Sequence, residues 1–157
     1  MLKKYLTVFF VSMVPLIELR GAIPYGVIFG LPLWSTYIIA IIGNMIPVPF
    51  IFLFARKILE WGADKPVIGK FFTFCLEKGH KGGQKLKATA GRGLFIALLL
   101  FVGIPLPGTG AGTGALVAAL MEMRLKRALP AIYAGVLIAG LLVTLALTGV
   151  KALRFRA

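Results

Sequence analysis

Two charged side chains stand inside an otherwise apolar stretch, residues 14–24, of sequence VPLIELRGAIP. A charge at the centre of a bilayer costs roughly 2.5–3.5 kcal/mol on insertion scales, so such groups face a protein interior, pair with one another, or serve a transport pathway. Burial disfavours the charged form of a carboxylate, so Glu18 is a candidate proton carrier. The Arg20 guanidinium can hold a phosphate or carboxylate with two donors. The alternative interpretation is a structural ion pair that stabilises the break.

A second break, residues 104–114, has the sequence IPLPGTGAGTG and offers backbone donors instead of charged side chains. Glycines let backbone N–H groups turn towards a cavity, and a helix predicted to start near residues 113–116 directs its positive end there. This pattern favours a site for an anionic group. The alternative is that the glycines serve close packing of one break against the other. The candidate binding residues here are Gly108, Thr109, Gly110, Gly112 and Thr113.

Asn44 is a third candidate, because it is a polar residue within an apolar span, flanked by Gly43 and Pro47. It can bond one of the broken segments, or it can join helices at a gain of about 0.6 kcal/mol. No catalytic or metal-binding residues are predicted. Phosphoryl chemistry needs a nucleophile with an acid or base, or carboxylates that hold a metal, whereas His80 stands alone in a basic loop. We therefore expect no enzymatic activity and no cofactor.

The composition places these candidates in a membrane. The chain is 59% hydrophobic and has a mean hydropathy of +0.95, whereas soluble domains are about 45–50% apolar. Its 157 residues allow one all-α membrane domain. The net charge is +13, and half of the Lys and Arg residues lie within residues 56–92. A basic segment beside apolar spans indicates contact with anionic lipid headgroups rather than nucleic acid.

The elements that must position the candidates repeat along the chain. A broken block and a span (repeat one, 5–55) precede a basic connector (56–92), and a second broken block and span (repeat two, 93–151) follow. Spans are predicted over 34–54 and 128–150, and short amphipathic helices over 57–63 and 67–77. We predict two inverted repeats, each a re-entrant helical hairpin plus a transmembrane helix. Four crossing helices remain the alternative, because each topology misplaces a few cations.

Three sequence features carry a resemblance to a known family: ELRGAIP at 18–24, Gly43-Asn44, and FVGIPLPGTGA at 101–111. Together they resemble the bacterial and archaeal "putative small multidrug export" membrane proteins, a family that looks distantly similar to the DedA/VTT superfamily. The resemblance implies inverted repeats of re-entrant hairpin plus transmembrane helix, and translocation of lipid phosphates or proton-dependent drug tolerance. Glu18 and Arg20 fit the working acid and arginine of that superfamily. The second hairpin lacks a matching pair.

The resulting hypothesis is a proton-coupled membrane transporter of an anionic or amphipathic small molecule or a lipid phosphate. It binds this substrate where the two hairpins meet. The alternative is a structural or assembly protein without transport activity. The predicted location is the plasma (inner) membrane of a prokaryote, with the connector cytoplasmic. A homodimer is plausible, and the face of Gly135 and Ala139 is one candidate contact, because small residues permit close helix packing.

Overall fold

The computed structural model describes residues 1–14, 17–67, 69–70, 73–74, 77, 81, 92–106 and 109–156. Within these residues the regular secondary structure is helical and contains no strand. Two stretches, Leu33–Ala63 and Leu125–Phe155, are long and apolar enough to cross a membrane. The all-α class predicted from the sequence is thus confirmed. The helices are α1 Leu2–Met13, α2 Glu18–Ile28, α3 Leu33–Met45, α4 Pro47–Ala63, α5 Gly93–Gly103, α6 Ala111–Leu120 and α7 Leu125–Arg156.

The first broken block forms two short helices that run antiparallel. Helix α1 ends at Val14, whose backbone is extended (φ −71°, ψ 120°), as expected for a residue that precedes a proline. The Lys4 ammonium, near the start of α1, donates to the carbonyl of Phe29 at the end of α2 (2.9 Å). Both outer ends of this block therefore lie together. With 12 residues, α1 is about 18 Å long and too short to cross a hydrocarbon core of about 30 Å.

The second broken block repeats this arrangement. Helix α5 ends at Ile104, again extended (φ −78°, ψ 120°) and again followed by a proline. Leu94 at the start of α5 and Met121 just after α6 line the same cavity. The outer ends of α5 and α6 are therefore neighbours, and these two helices also run antiparallel.

Equivalent contacts join each broken block to the long helix that follows it. A methyl group added at Gly43 of α3 would come within 2.6 Å of the Phe9 carbonyl oxygen in α1. One added at Gly135 of α7 would come within 2.9 Å of the Leu99 carbonyl oxygen in α5. Both pairs are related by a shift of about ninety positions along the chain. The backbones of each pair approach so closely that only glycine fits.

The first long helix is continuous but contains a proline-rich junction. Ile46 keeps helical backbone angles (φ −59°, ψ −48°) between α3 and α4. Pro49 has no N–H to donate to the carbonyl of Met45, and the Tyr133 hydroxyl of α7 lies 3.4 Å from that oxygen. A hydroxyl from the second long helix thus partners a carbonyl that proline leaves free.

Three sequence-based boundaries differ from the structure. Helix α4 continues to Ala63, so the predicted separate helix over 57–63 is wrong. No glycine or proline interrupts the chain between Phe50 and Trp61. The helix therefore continues beyond residue 56, where the basic connector was predicted to begin. Of the segment 67–77, the described residues 69–70, 73–74 and 77 are helical. Helix α7 exceeds its predicted range of 128–150 at both ends.

The core lies between α2, α7 and the helices around them, and fully buried side chains include Leu19, Ile23, Ile132 and Val136. Gly135 packs against Leu99 and Val102 of the same chain, and Ala139 is buried beside it on the same helix. The face that the sequence suggested for a dimer is therefore occupied within the monomer, because α5 covers it.

Candidate functional site

Glu18 is the first residue of α2, and its side chain is only 5% exposed. Its backbone adopts a left-handed conformation (φ 53°), which is uncommon for a residue with a side chain and costs of order 1–3 kcal/mol. The backbone N–H of Gly112 donates to its Oε1 at 3.1 Å. The carboxylate of the first break is therefore bound by the backbone of the second.

The N-terminus of α6 is shaped to receive this carboxylate. A methyl group added at Gly110 would overlap the Glu18 carboxyl group, so the approach requires glycine. The N–H of Gly110 donates to the Thr113 hydroxyl at 2.7 Å, which caps the helix from within. The N–H of Gly112 is then directed at Glu18. Of the orphan donors at this helix end, the Thr113 hydroxyl thus binds one and the Glu18 carboxylate another.

Arg20 binds the other side of the second break, at the end of α5. Its guanidinium donates to the carbonyls of Val102 (3.3 Å) and Ile104 (3.1 Å) and also to that of Leu106. Val102 lies in the last turn of α5, and the other two residues follow it. Carbonyls at a helix C-terminus lack helical partners, and the fork of guanidinium donors can reach several of them at once.

Thr109 completes the contacts of Arg20. Its hydroxyl oxygen lies 3.3 Å from an Arg20 nitrogen and accepts from it. The same oxygen is 2.8 Å from the Ile104 carbonyl and 2.9 Å from that of Leu106. A hydroxyl has one proton, so it donates to one of these carbonyls at a time. Thr109 thus folds the break back onto the end of α5.

The two charges match the ends of the two helices that they contact. The helix macrodipole favours an anion at the N-terminus and a cation at the C-terminus. Glu18 lies at the N-terminus of α6 and Arg20 at the C-terminus of α5. Between these two described residues there is no direct ion pair, because each charged group binds backbone of the second break. The sequence raised a direct ion pair as an alternative, and the structure does not contain it.

The remaining candidates take no part in these contacts or lie outside the described residues. Asn44 is 3% exposed, and its Nδ2 has no hydrogen-bond partner among the described residues. Gly108 lies outside the described residues. The structure thus brings together Glu18, Arg20, Thr109, Gly110, Gly112 and Thr113.

Sequence reasoning missed the carbonyl acceptors of Arg20 and the role of Tyr133. Pro105 and Pro107 mark the end of a helix, and the last carbonyls of any helix lack helical partners, so this was the available signal for unpaired carbonyls. Pro49 gave the same signal for the Met45 carbonyl. No sequence pattern identifies which distant side chain supplies the donor, because these pairs are more than eighty positions apart.

The two long apolar helices and the buried contact of Glu18 with α6 indicate an integral membrane protein. A family model described as "Putative small multi-drug export protein" matches residues 18–142. The chain therefore belongs to this family, and the match includes residues 18–24 of the first break, the whole second break, all of α3 and α4, and α7 as far as residue 142. Comparisons with curated proteins and with solved structures each found no match. The similarity to the DedA/VTT superfamily stays a prediction.

Proposed function

We propose that the protein is a proton-coupled transporter in which the Glu18 carboxylate and the substrate compete for the N-terminus of α6. The family description supports transport in general. The observation that carries the proposal is the buried hydrogen bond from the Gly112 N–H to Glu18 Oε1, at 3.1 Å. A buried carboxylate held by backbone donors is a group whose protonation changes the structure around it.

Protonation of Glu18 weakens its hold on α6. The neutral carboxylic acid no longer complements the positive end of the helix dipole, and its hydrogen bond from Gly112 loses the assistance of charge. The N–H of Gly112 then becomes available to another anionic group. In this cycle a proton enters on Glu18 as the substrate binds, and release of the proton restores the contact with Gly112.

The substrate class follows from the chemistry of these groups. Backbone N–H groups at a helix N-terminus bind phosphate or carboxylate, and the Arg20 guanidinium adds a fixed positive charge. The hydroxyls of Thr109 and Thr113 and the amide of Asn44 are further donors. The surroundings are apolar, which favours an amphipathic small molecule or a lipid phosphate. The proposal retains Gly108 as a contributor from the sequence of the break.

Helix geometry supports a location near the middle of the bilayer. Gly43 and Gly135, which contact the inner ends of α1 and α5, each lie about ten residues into their long helix. Ten residues rise about 15 Å, which is half of a hydrocarbon core of about 30 Å. We therefore place both breaks at the midplane, as tips of re-entrant hairpins that enter from opposite sides in an inverted repeat.

The orientation follows from charge. We place the protein in the plasma membrane of a prokaryote with the connector, residues 56–92, on the cytoplasmic side against anionic headgroups. The proposal assigns no enzymatic reaction and no cofactor to the chain. It allows a homodimer through a face other than that of Gly135 and Ala139.

Proton-driven transport in liposomes tests the proposal. The purified protein is reconstituted with a trapped pH dye, and a fluorescent short-chain phosphatidic acid is added under a pH gradient. We expect proton flux that depends on the added compound, and its loss in Glu18→Gln. Glu60→Gln is the matched control, because Glu60 is exposed and its one ion pair among the described residues is with Arg56 at 3.7 Å. Equal flux in the Glu18→Gln and Glu60→Gln proteins would remove Glu18 from the mechanism.

A structural or assembly role is the second candidate, and one observation favours it. Both terminal guanidinium nitrogens of Arg20 already contact carbonyls of the second break, Nη1 that of Leu106 and Nη2 that of Ile104, as expected of a cross-link between two helical hairpins. This role predicts that the Glu18→Gln protein inserts and folds normally and that no tested compound evokes proton flux, even in the wild-type protein.

A further inference from the structure

A narrow apolar groove runs between α5 and α6, and its lining includes none of the residues that contact Glu18 or Arg20. Its cavity volume is about 170 Å³, and its lining is formed by Leu94, Ala97, Leu98, Phe101, Val117 and Met121. An apolar cavity of about 150 Å³ is enough to bind benzene in an otherwise packed protein. The groove therefore has room for several methylene groups of a hydrocarbon chain.

The groove opens towards the surface that faces lipid. Ala97 lines it and is exposed. The exposed side chains of Ile96 and Leu100 lie beside it on α5, and that of Leu116 lies beside it on α6. A hydrocarbon chain in the surrounding bilayer can therefore enter from the side without crossing polar surface.

One end of the groove is strongly basic. Leu94 and Met121 line that end, and Arg92 precedes Leu94 by two residues. Arg124, Lys126 and Arg127 follow Met121 at the start of α7, and all four cations are exposed. Glu122 is the one carboxylate in the same stretch, so the positive charge predominates. Exposed cations beside a bilayer attract anionic headgroups with about 1 kcal/mol each.

We propose that this groove binds one acyl chain of an anionic phospholipid, whose phosphate lies against Arg124 and its neighbouring cations. The apolar lining fits the chain, the lateral opening gives it access, and the basic end fits the headgroup. The site is separate from the contacts of Glu18 and Arg20, and it does not depend on the transport mechanism proposed above.

Lipid titration of the full-length protein in detergent, followed by native mass spectrometry, tests the proposal. The probes are dioleoyl phosphatidylglycerol, dioleoyl phosphatidylcholine, short-chain dihexanoyl phosphatidylglycerol and free glycerol phosphate. We expect long-chain phosphatidylglycerol to bind most tightly, and Arg124→Gln to weaken it about fivefold. Arg154→Gln is the matched control, because it removes an equal exposed charge from the far end of the same helix.

Ala97→Phe tests the groove itself, since the larger side chain fills it. We expect this change to abolish the advantage of long-chain over short-chain phosphatidylglycerol, whereas Ala146→Phe, at an exposed position of α7, leaves it intact. If Ala97→Phe does not fold, the proposal is decided by comparing long-chain with short-chain phosphatidylglycerol binding to the wild-type protein.

Three kinds of outcome would overturn the proposal. One is the absence of a headgroup effect, seen either as equal affinity for phosphatidylglycerol and phosphatidylcholine or as an equal effect of the two arginine changes. Another is binding of glycerol phosphate as tightly as the long-chain lipid, which would mean recognition of the headgroup alone. The third is a dimer that forms without lipid and is lost in Ala97→Phe, which would assign the groove to a second copy of the chain.

Discussion

At the scale of single residues, Glu18 and Arg20 bind opposite sides of one helix break, two positions apart on the same helix. Glu18 is at the left-handed first position of α2, and this directs its carboxylate to α6. Arg20 contacts the end of α5. These contacts place a titratable carboxylate where a change of charge alters the contact between two helical hairpins.

Gly110→Ala should destabilise the protein, because the added methyl overlaps the Glu18 carboxyl group. Overpacking of this kind costs about 1–3 kcal/mol in the free energy of unfolding. Chemical unfolding in detergent micelles measures it. Gly149→Ala is the control, since no described group beyond the adjacent turns of its own helix lies within 4 Å of the added atom there. Combining Gly110→Ala with the shorter Glu18→Asp should recover part of the loss, and additive losses would contradict the contact.

Arg20→Lys should lower the free energy of unfolding by about 1.5–3 kcal/mol, the value of a hydrogen bond to a charged group. Lysine keeps the charge but lacks the fork that spans the carbonyls of Val102 and Ile104. Arg56→Lys is the matched control, because its exposed pair with Glu60 is worth at most about 1 kcal/mol. Equal effects at the two positions would show that only charge matters at Arg20.

At the scale of elements, proline residues set where helices end or lose a backbone hydrogen bond, and other helices supply the missing donors. Tyr133→Phe should cost about 1 kcal/mol in unfolding free energy, because the Met45 carbonyl then loses its hydroxyl partner. Pro49→Ala restores the N–H that helix geometry directs at this carbonyl.

In the Pro49→Ala background, Tyr133→Phe should therefore cost less than in the wild-type protein. A double-mutant cycle measures the difference. Tyr25→Phe is the control, because the structure shows only a ring contact with Phe29 for this exposed side chain among the described residues. A cycle with no coupling energy would mean that Tyr133 does not partner the Met45 carbonyl.

The two close helix approaches should respond alike to substitution, because each places a glycine against a backbone carbonyl of the preceding broken block. We expect Gly43→Ala and Gly135→Ala each to cost about 1–3 kcal/mol, from contacts at 2.6 Å and 2.9 Å. Thermal unfolding in micelles measures both against Gly149→Ala. A neutral effect at one position alone would argue against equivalent roles in the two repeats.

At the scale of the whole molecule, the antiparallel pairing within both broken blocks predicts a definite pattern of accessibility. Single cysteines replace Gly30, Arg92 and Lys126 in a Cys75→Ser background, and an impermeant maleimide labels oriented vesicles. Arg92 and Lys126 flank one block, so both should label from the same side. Gly30, at the outer end of the other block, should label from the opposite side. Labelling of the Arg92 and Lys126 sites from opposite sides would favour four crossing helices.

The sequence by itself determined the membrane class, the two broken blocks and the candidate residues. Apolar content, the spacing of prolines and the cost of burying Glu18 and Arg20 are local properties that the chain carries without its fold. The sequence also indicated that a broken block followed by a span occurs twice along the chain. It misjudged the end of α4, since charge marks the limit of a membrane span more reliably than the limit of a helix.

Only the tertiary structure decided what the charges bind. The sequence predicted that Arg20 binds a substrate or pairs directly with Glu18. In the fold, Arg20 instead contacts free carbonyls at the end of α5, and Glu18 accepts from the backbone of α6. These partners lie more than eighty positions away. Almost every residue has the same backbone N–H and C=O groups, so no sequence pattern identifies which of them will be partners. The partners are fixed only when packing brings the two breaks together.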